Sequence, residues 1–212
     1  MSYYERIKPY HLDVLKEIGN IGAGNAATAL SKLLNKSIDM KVPSVKIISF
    51  QEITELVGGA DQVVAAIFLR LEGEAPGSMF LLLPIFEAEQ LIQRLTGNSK
   101  FQLAEPPFDE IGLSALQEMG NILAGSYLTA LSDFTRLNLQ PSVPAISIDL
   151  AGAILSYGLI EVSQISDYVI VINTEVHEVN DEFQHSSGHF FLLPDPNAFG
   201  RIFNALGVEM DE

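Results

Sequence analysis

Glu17 and Asn20 stand three residues apart, and Glu118 and Asn121 repeat the pair 101 positions later. An asparagine amide is neither acid nor base at physiological pH. It carries one acceptor and two donors, so it can hold and orient a water. That task matters where catalysis is mainly positioning, as in phosphoryl transfer, where a side-chain amide can place the attacking water in line. A glutamate one turn away can pair with a cation on a partner and fix the register of docking. One Glu–Asn pair on a helix is common by chance. Its duplication, with its surroundings, is not.

Those surroundings define the organisation of the chain. "LDVLKEIGNIGAGNAATALSKLL" from Leu12 lies over "LSALQEMGNILAGSYLTALSDFT" from Leu113, and Val42-Pro43 falls on Val143-Pro144 at the same offset. A shift of 110 then aligns "MFLLLPIFEAEQLIQRLTG" with "HFFLLPDPNAFGRIFNALG". Each half reads as helix, extended region, apolar strand ending in Pro, closing helix and Gly. The halves meet at the turn-rich "NSKFQLAEPPFDE", residues 98–110. "SIDMKVPSVKIISF" and "VVAAIFLRLEG" read as strands in the first half, and "AISIDLAGAILSYG" and "DYVIVINTEVHEV" have the same character in the second. Two copies are too few for a solenoid. The expected fold is α+β, with internally duplicated α-β units forming one pseudo-two-fold domain and long helices packed on a mixed or antiparallel sheet. Residues 1–212 are read as a single domain, repeat one over about 8–100 and repeat two over about 109–210.

At 100° per residue, Leu15, Ile18, Gly22, Ala26, Ala29 and Leu33 share one stripe, matched by Leu116, Met119, Leu123, Tyr127, Ala130 and Phe134. That stripe is the expected buried face. Glu17, Asn20, Gly24, Thr28 and Ser31 fall on the opposite side, matched by Glu118, Asn121, Gly125, Thr129 and Ser132. Four of the six stripe positions differ between copies, whereas all five outward positions are identical. A purely structural duplication should keep its core and let its wet face drift, so this pattern points to a surface used twice. Gly24 and Gly125 cost about 1 kcal/mol each against Ala in mid-helix. They permit either a close approach by another molecule's backbone or close helix packing inside the protein.

Other chemistries fit less well. Gly22-Ala23-Gly24-Asn25-Ala26-Ala27 approximates a dinucleotide fingerprint, but a helical pattern already runs through Leu12 and Leu15, and the second copy has Leu123 at the first glycine. The chain has no cysteine and a formal net charge of −15 from 27 acidic and 12 basic residues. That excludes thiol chemistry and argues against nucleic acid and anionic membranes as partners. The apolar run Met79–Phe86 is too short to span a bilayer, and no secretory h-region opens the chain. A cytoplasmic location and no membrane insertion are expected. His11, His177, His185 and His189 show no metal-ligand spacing, and Ser31 and Ser132 lack a nucleophile-elbow setting.

The two helical segments resemble the signature helices of the CheC family, phosphatases of the chemotaxis response regulator CheY. The similarity extends to "PSVPAISIDLAGAILSYGLIE", "GSMFLLLP" and the C-terminal "FFLLPDPNAFGRIFNALG". It implies that Glu17 with Asn20, and Glu118 with Asn121, form two sites that insert into the active site of phosphorylated CheY. Asn would orient the hydrolytic water and Glu would engage the CheY active-site lysine. Gly24, Thr28, Gly125 and Thr129 would belong to the docking face. No metal or cofactor is implied for this chain, since the Mg²⁺ would sit in CheY. Binding to CheD, a receptor deamidase, is implied as well, with Asp149 in "ISIDLAGAI" in the segment associated with that contact. The alternative for Asp149 is an ordinary helix-capping role. A monomer is expected. Against the phosphatase stands a second hypothesis, a non-catalytic adaptor that docks a response regulator or CheD through the same face.

Overall fold

The computed structural model describes residues 7–103, 108–158, 168–178 and 185–207. Both halves carry the same elements in the same order. The first half holds α1 (Pro9–Leu34), β1 (Ile38–Ser49), α2 (Phe50–Leu56), β2 (Val63–Gly73), β3 (Gly77–Pro84) and α3 (Ile85–Thr96). The second holds α4 (Glu110–Thr135), β4 (Leu139–Pro141), β5 (Ala145–Leu150), α5 (Ala151–Gly158), β6 (Tyr168–Glu178), β7 (His185–Pro194) and α6 (Pro196–Ala205). β4 and β5 together stand where β1 does in the first half. The strands form one sheet in the order β1-β6-β7-β3-β2-β4, with β5 also on β2, and every described pairing is antiparallel. The fold is a duplicated α+β unit.

The strand order exchanges the halves. β3 and β7 meet at the centre, β1 pairs with β6 of the second half, and β4 and β5 pair with β2 of the first. One face of the sheet carries α1, α3, α4 and α6. Ile67, Leu69, Leu81, Phe190 and Leu192 of the strands pack there against Leu15, Ile18, Leu116, Met119, Phe199 and Phe203. Among the described residues, the other face carries the two short helices, through Ile53 and Val57 of α2 and Ala151, Ile154 and Leu155 of α5.

The long helices are 26 residues each, about 39 Å. Pro9 opens α1 at a position whose N–H is unneeded, and His11 Nδ1 accepts the Lys8 N–H at 2.9 Å. Asp109 caps α4 by accepting from Ile111 N and Gly112 N. α3 and α6 run out into Gly97 and Gly207, at φ +71° and +73°, left-handed backbone that glycine adopts without cost.

His11 is 1% exposed, against Tyr10 and Phe203. Burial, with the nearby Lys8 charge, holds its pKa below the usual 6.5. His189 is also held low by burial, partly offset by its bond to the Leu56 backbone. A depressed histidine pKa means the unfolded chain binds the proton first. Stability is therefore fully present above about pH 6.5 and falls as the pH drops below it. The melting temperature should decrease between about pH 7.5 and about pH 5.5, and less so in His11→Gln. An identical pH profile for the variant would show that His11 contributes nothing to it.

Several readings need correction. Leu33 and Phe134, expected in the buried stripe, are half exposed, and Ala29 is half buried. Past Ala26 the buried face of α1 turns to Ala27 and Leu30, because the helix packs on both the sheet and α4. "AGAILSYG", read as extended, is α5, and "FQEITEL" forms α2. Gly22 is explained by packing. A Cβ there would meet Tyr127 Cδ1 at 2.8 Å and Tyr127 Cα at 2.9 Å, so α1 crosses α4 where it has no side chain.

Candidate functional site

α1 and α4 each turn one face to the sheet and one outward. Glu17, Gly24 and Thr28 are exposed on α1, and Asn20 is half buried; Glu118, Asn121 and Thr129 are exposed on α4, and Gly125 is half buried. Neither Glu17 nor Glu118 makes a side-chain hydrogen bond or ion pair with any described residue, so both carboxylates are available to a cation from outside. A Cβ added to Gly24 or Gly125 would meet nothing within 4 Å among the described residues beyond its own stretch of helix. The glycines are therefore not there for packing inside the protein, and the open side of the helix is what they provide. Gly24→Ala and Gly125→Ala should each raise stability by about 1 kcal/mol, the helix-propensity difference, in urea unfolding. Loss of stability in either would mean that something in the protein fills that space.

The two asparagines are not in the same state. Asn20 Oδ1 accepts from Val42 N at 2.8 Å, and its Nδ2 donates to Lys16 O at 3.0 Å and Val42 O at 3.4 Å. Val42 lies where the β1–β6 register shifts between Lys41 and Ser44, so among the described residues it has no partner in the β6 ladder. The Asn20 amide stands in for one. Asn121 makes no hydrogen bond to any described residue, and both ends of its amide are free for water or a partner.

The remaining predicted positions divide. Thr28 Oγ1 donates to Gly24 O at 3.0 Å, a bond inside the helix. Ser31 turns inward, accepting from Ile38 N at 2.9 Å, and so fastens the α1–β1 turn. Ser132 Oγ is buried. Neither serine belongs to the outward face. Asp149 is exposed at the end of β5, opposite Val64 in β2. Its Oδ1 accepts from Leu150 N, while the first N–H groups of α5 go to Gln62 O and Ala60 O. The capping alternative for Asp149 therefore fails.

An apolar cavity of about 30 Å³ lies between α1, α3, α4 and the sheet, lined by Leu30, Met40, Leu83, Leu91 and Leu123. It has room for about one water. Among the described residues, no three His, Cys, Asp or Glu side chains gather as a metal site would require, and no helix is long and apolar enough to cross a membrane.

The chain belongs to the CheC-like family. The family's profile matches residues 11–47 and 111–148, the two segments that carry the Glu–Asn pairs. The CheY-P phosphatase CheC of Bacillus subtilis (strain 168) is 49% identical over 210 residues, 99% of this chain and 100% of that protein. The flagellar motor switch phosphatase FliY of the same organism is 32% identical over 136 residues, 64% of this chain and 35% of that protein. The crystal structure of Thermotoga maritima FliY shares the fold with a TM-score of 0.73 and 22% identity, covering 95% of this chain and 98% of that one.

Proposed function

We propose that this protein is a phosphatase that hydrolyses the aspartyl phosphate of phosphorylated CheY, through the two outward Glu–Asn faces of α1 and α4. The observation that carries the reading is Asn121, an exposed amide that, like the carboxylate of Glu118 beside it, has no partner among the described residues, next to the open backbone of Gly125. The 49% identity with a CheY-P phosphatase over nearly the whole chain supports it. In this mechanism the helix face seats on the phosphorylated regulator and Glu pairs with a lysine of CheY. The Asn carbonyl accepts a hydrogen bond from water and turns its oxygen toward phosphorus. The water oxygen bonds to phosphorus as the bond to the aspartyl oxygen breaks, releasing inorganic phosphate and a free carboxylate. Charge on the transferring group is neutralised by the Mg²⁺ of CheY, and this chain supplies position.

The test is the decay of phosphorylated CheY from the same organism with wild type and with Asn20→Ala/Asn121→Ala. Acceleration that vanishes in the double variant, with binding retained, is the expected result. If wild type leaves the decay unchanged, with or without CheD, the face is a docking surface and the adaptor reading replaces this one. CheD is placed on the exposed strand β5 around Asp149, with the protein acting as a cytoplasmic monomer. Asp149→Lys should remove CheD binding and leave CheY dephosphorylation intact, and undiminished CheD binding would move that contact elsewhere.

A further inference from the structure

Asn20 and Asn121 hold the same place on their helices, yet among the described residues only Asn20 is bonded to the strand beside it. The strand residue against the preceding glycine also differs. In the first half Val42 sits against Gly19, its Cγ2 3.3 Å from where a Cβ on that glycine would be. In the second half Pro144 sits against Gly120, its Cβ 3.7 Å from the corresponding point. Sequence offset pairs Pro144 with Pro43, but in space it takes the place of Val42. Proline has no N–H. The bond from Val42 N to Asn20 Oδ1 therefore has no counterpart at Asn121.

We infer that the residue facing the helix amide, Val42 in one half and Pro144 in the other, sets which site has its water-holding amide ready. Val42 latches Asn20, Pro144 leaves Asn121 free, and the first site turns over only when Asn20 releases the strand. This rests on the phosphatase reading. Val42 is 1% exposed, so its N–H is left without a partner whenever Asn20 turns to a water. The exchange is opposed by about one net hydrogen bond, equivalent to about two- to tenfold in kcat. Val42 and Pro144 are positioning residues, and neither touches the phosphoryl group in this scheme.

In an Asn121→Ala background, where only the first site can act, Val42→Pro should raise kcat for phosphorylated CheY about two- to tenfold and leave KM unchanged. An unchanged kcat in a folded variant would overturn the latch. Should Val42→Pro not fold, the reciprocal change decides. Pro144→Val in an Asn20→Ala background should lower kcat by the same factor, and no fall would overturn the proposal. Backbone hydrogen exchange tests the latch without any substrate. The Val42 N–H should be protected in wild type and lose protection in Asn20→Ala, while equal exchange in both would sink it. Protection of Val42 in a protein that does not accelerate CheY dephosphorylation would refute the phosphatase reading and leave the latch in place.

Discussion

Asn121→Ala should lower kcat for phosphorylated CheY by about three- to tenfold, whereas Asn20→Ala should retain most of the turnover. Asn121 has no other employment among the described residues, so its removal takes away a poised water-holder and nothing structural. Asn20 is held to Val42 at both ends of its amide. The stabilities should cross the activities. Asn20→Ala strips the buried Val42 N–H of its acceptor and should cost about 1–3 kcal/mol. Asn121→Ala, on an exposed helix face, should be neutral or gain up to about 0.5 kcal/mol. Decay of phosphorylated CheY and urea unfolding of the same two variants measure both. Equal losses of turnover together with equal stabilities would contradict the asymmetry of the two faces.

Gly22→Leu, which writes the second half's residue into the first, should destabilise the protein by about 3 kcal/mol or more. The first atom of the new side chain would already lie 2.9 Å from Tyr127 Cα, and backbone does not yield as a flexible side-chain tip does. The reverse change, Leu123→Gly, removes a buried leucine and adds a mid-helix glycine, for a loss of about 3–6 kcal/mol. Combining them should not rescue either, because the atoms that crowd residue 22 belong to Tyr127 and Ser126 rather than to Leu123. An unfolding midpoint for Gly22→Leu equal to wild type would show that the two long helices can separate at their crossing at no cost.

Much of the architecture was legible because the chain states it twice. "VVAAIFLRLEG" coincides with β2, and the outward Glu17, Asn20 and Gly24 were recoverable from helical periodicity and from which positions the copies share. The short helices were not recovered. α5 is largely apolar, and a short apolar run cannot be told from a strand by periodicity. α2 did carry a usable signal, Ser49 three residues before Glu52, whose side chains and backbones bond reciprocally at its start. The state of Asn20 lay beyond sequence patterns. It depends on the register shift at Val42, and register of that kind is set by the assembled sheet.

The exchange of strands between halves also orders events during synthesis. Ile38 of β1 pairs with Glu178, a partner made 140 residues later. At about 5–20 residues per second, the first strand waits roughly 7–28 seconds on the ribosome for its neighbour. Once made, β2 has an edge open to any other extended chain until β5 arrives, and β3 has one open longer still, until β7 does. The nascent first half therefore has no finished structure of its own to close into. Its yield in the cell should depend on how quickly the second half follows, so slow codons within residues 98–110 would favour aggregation.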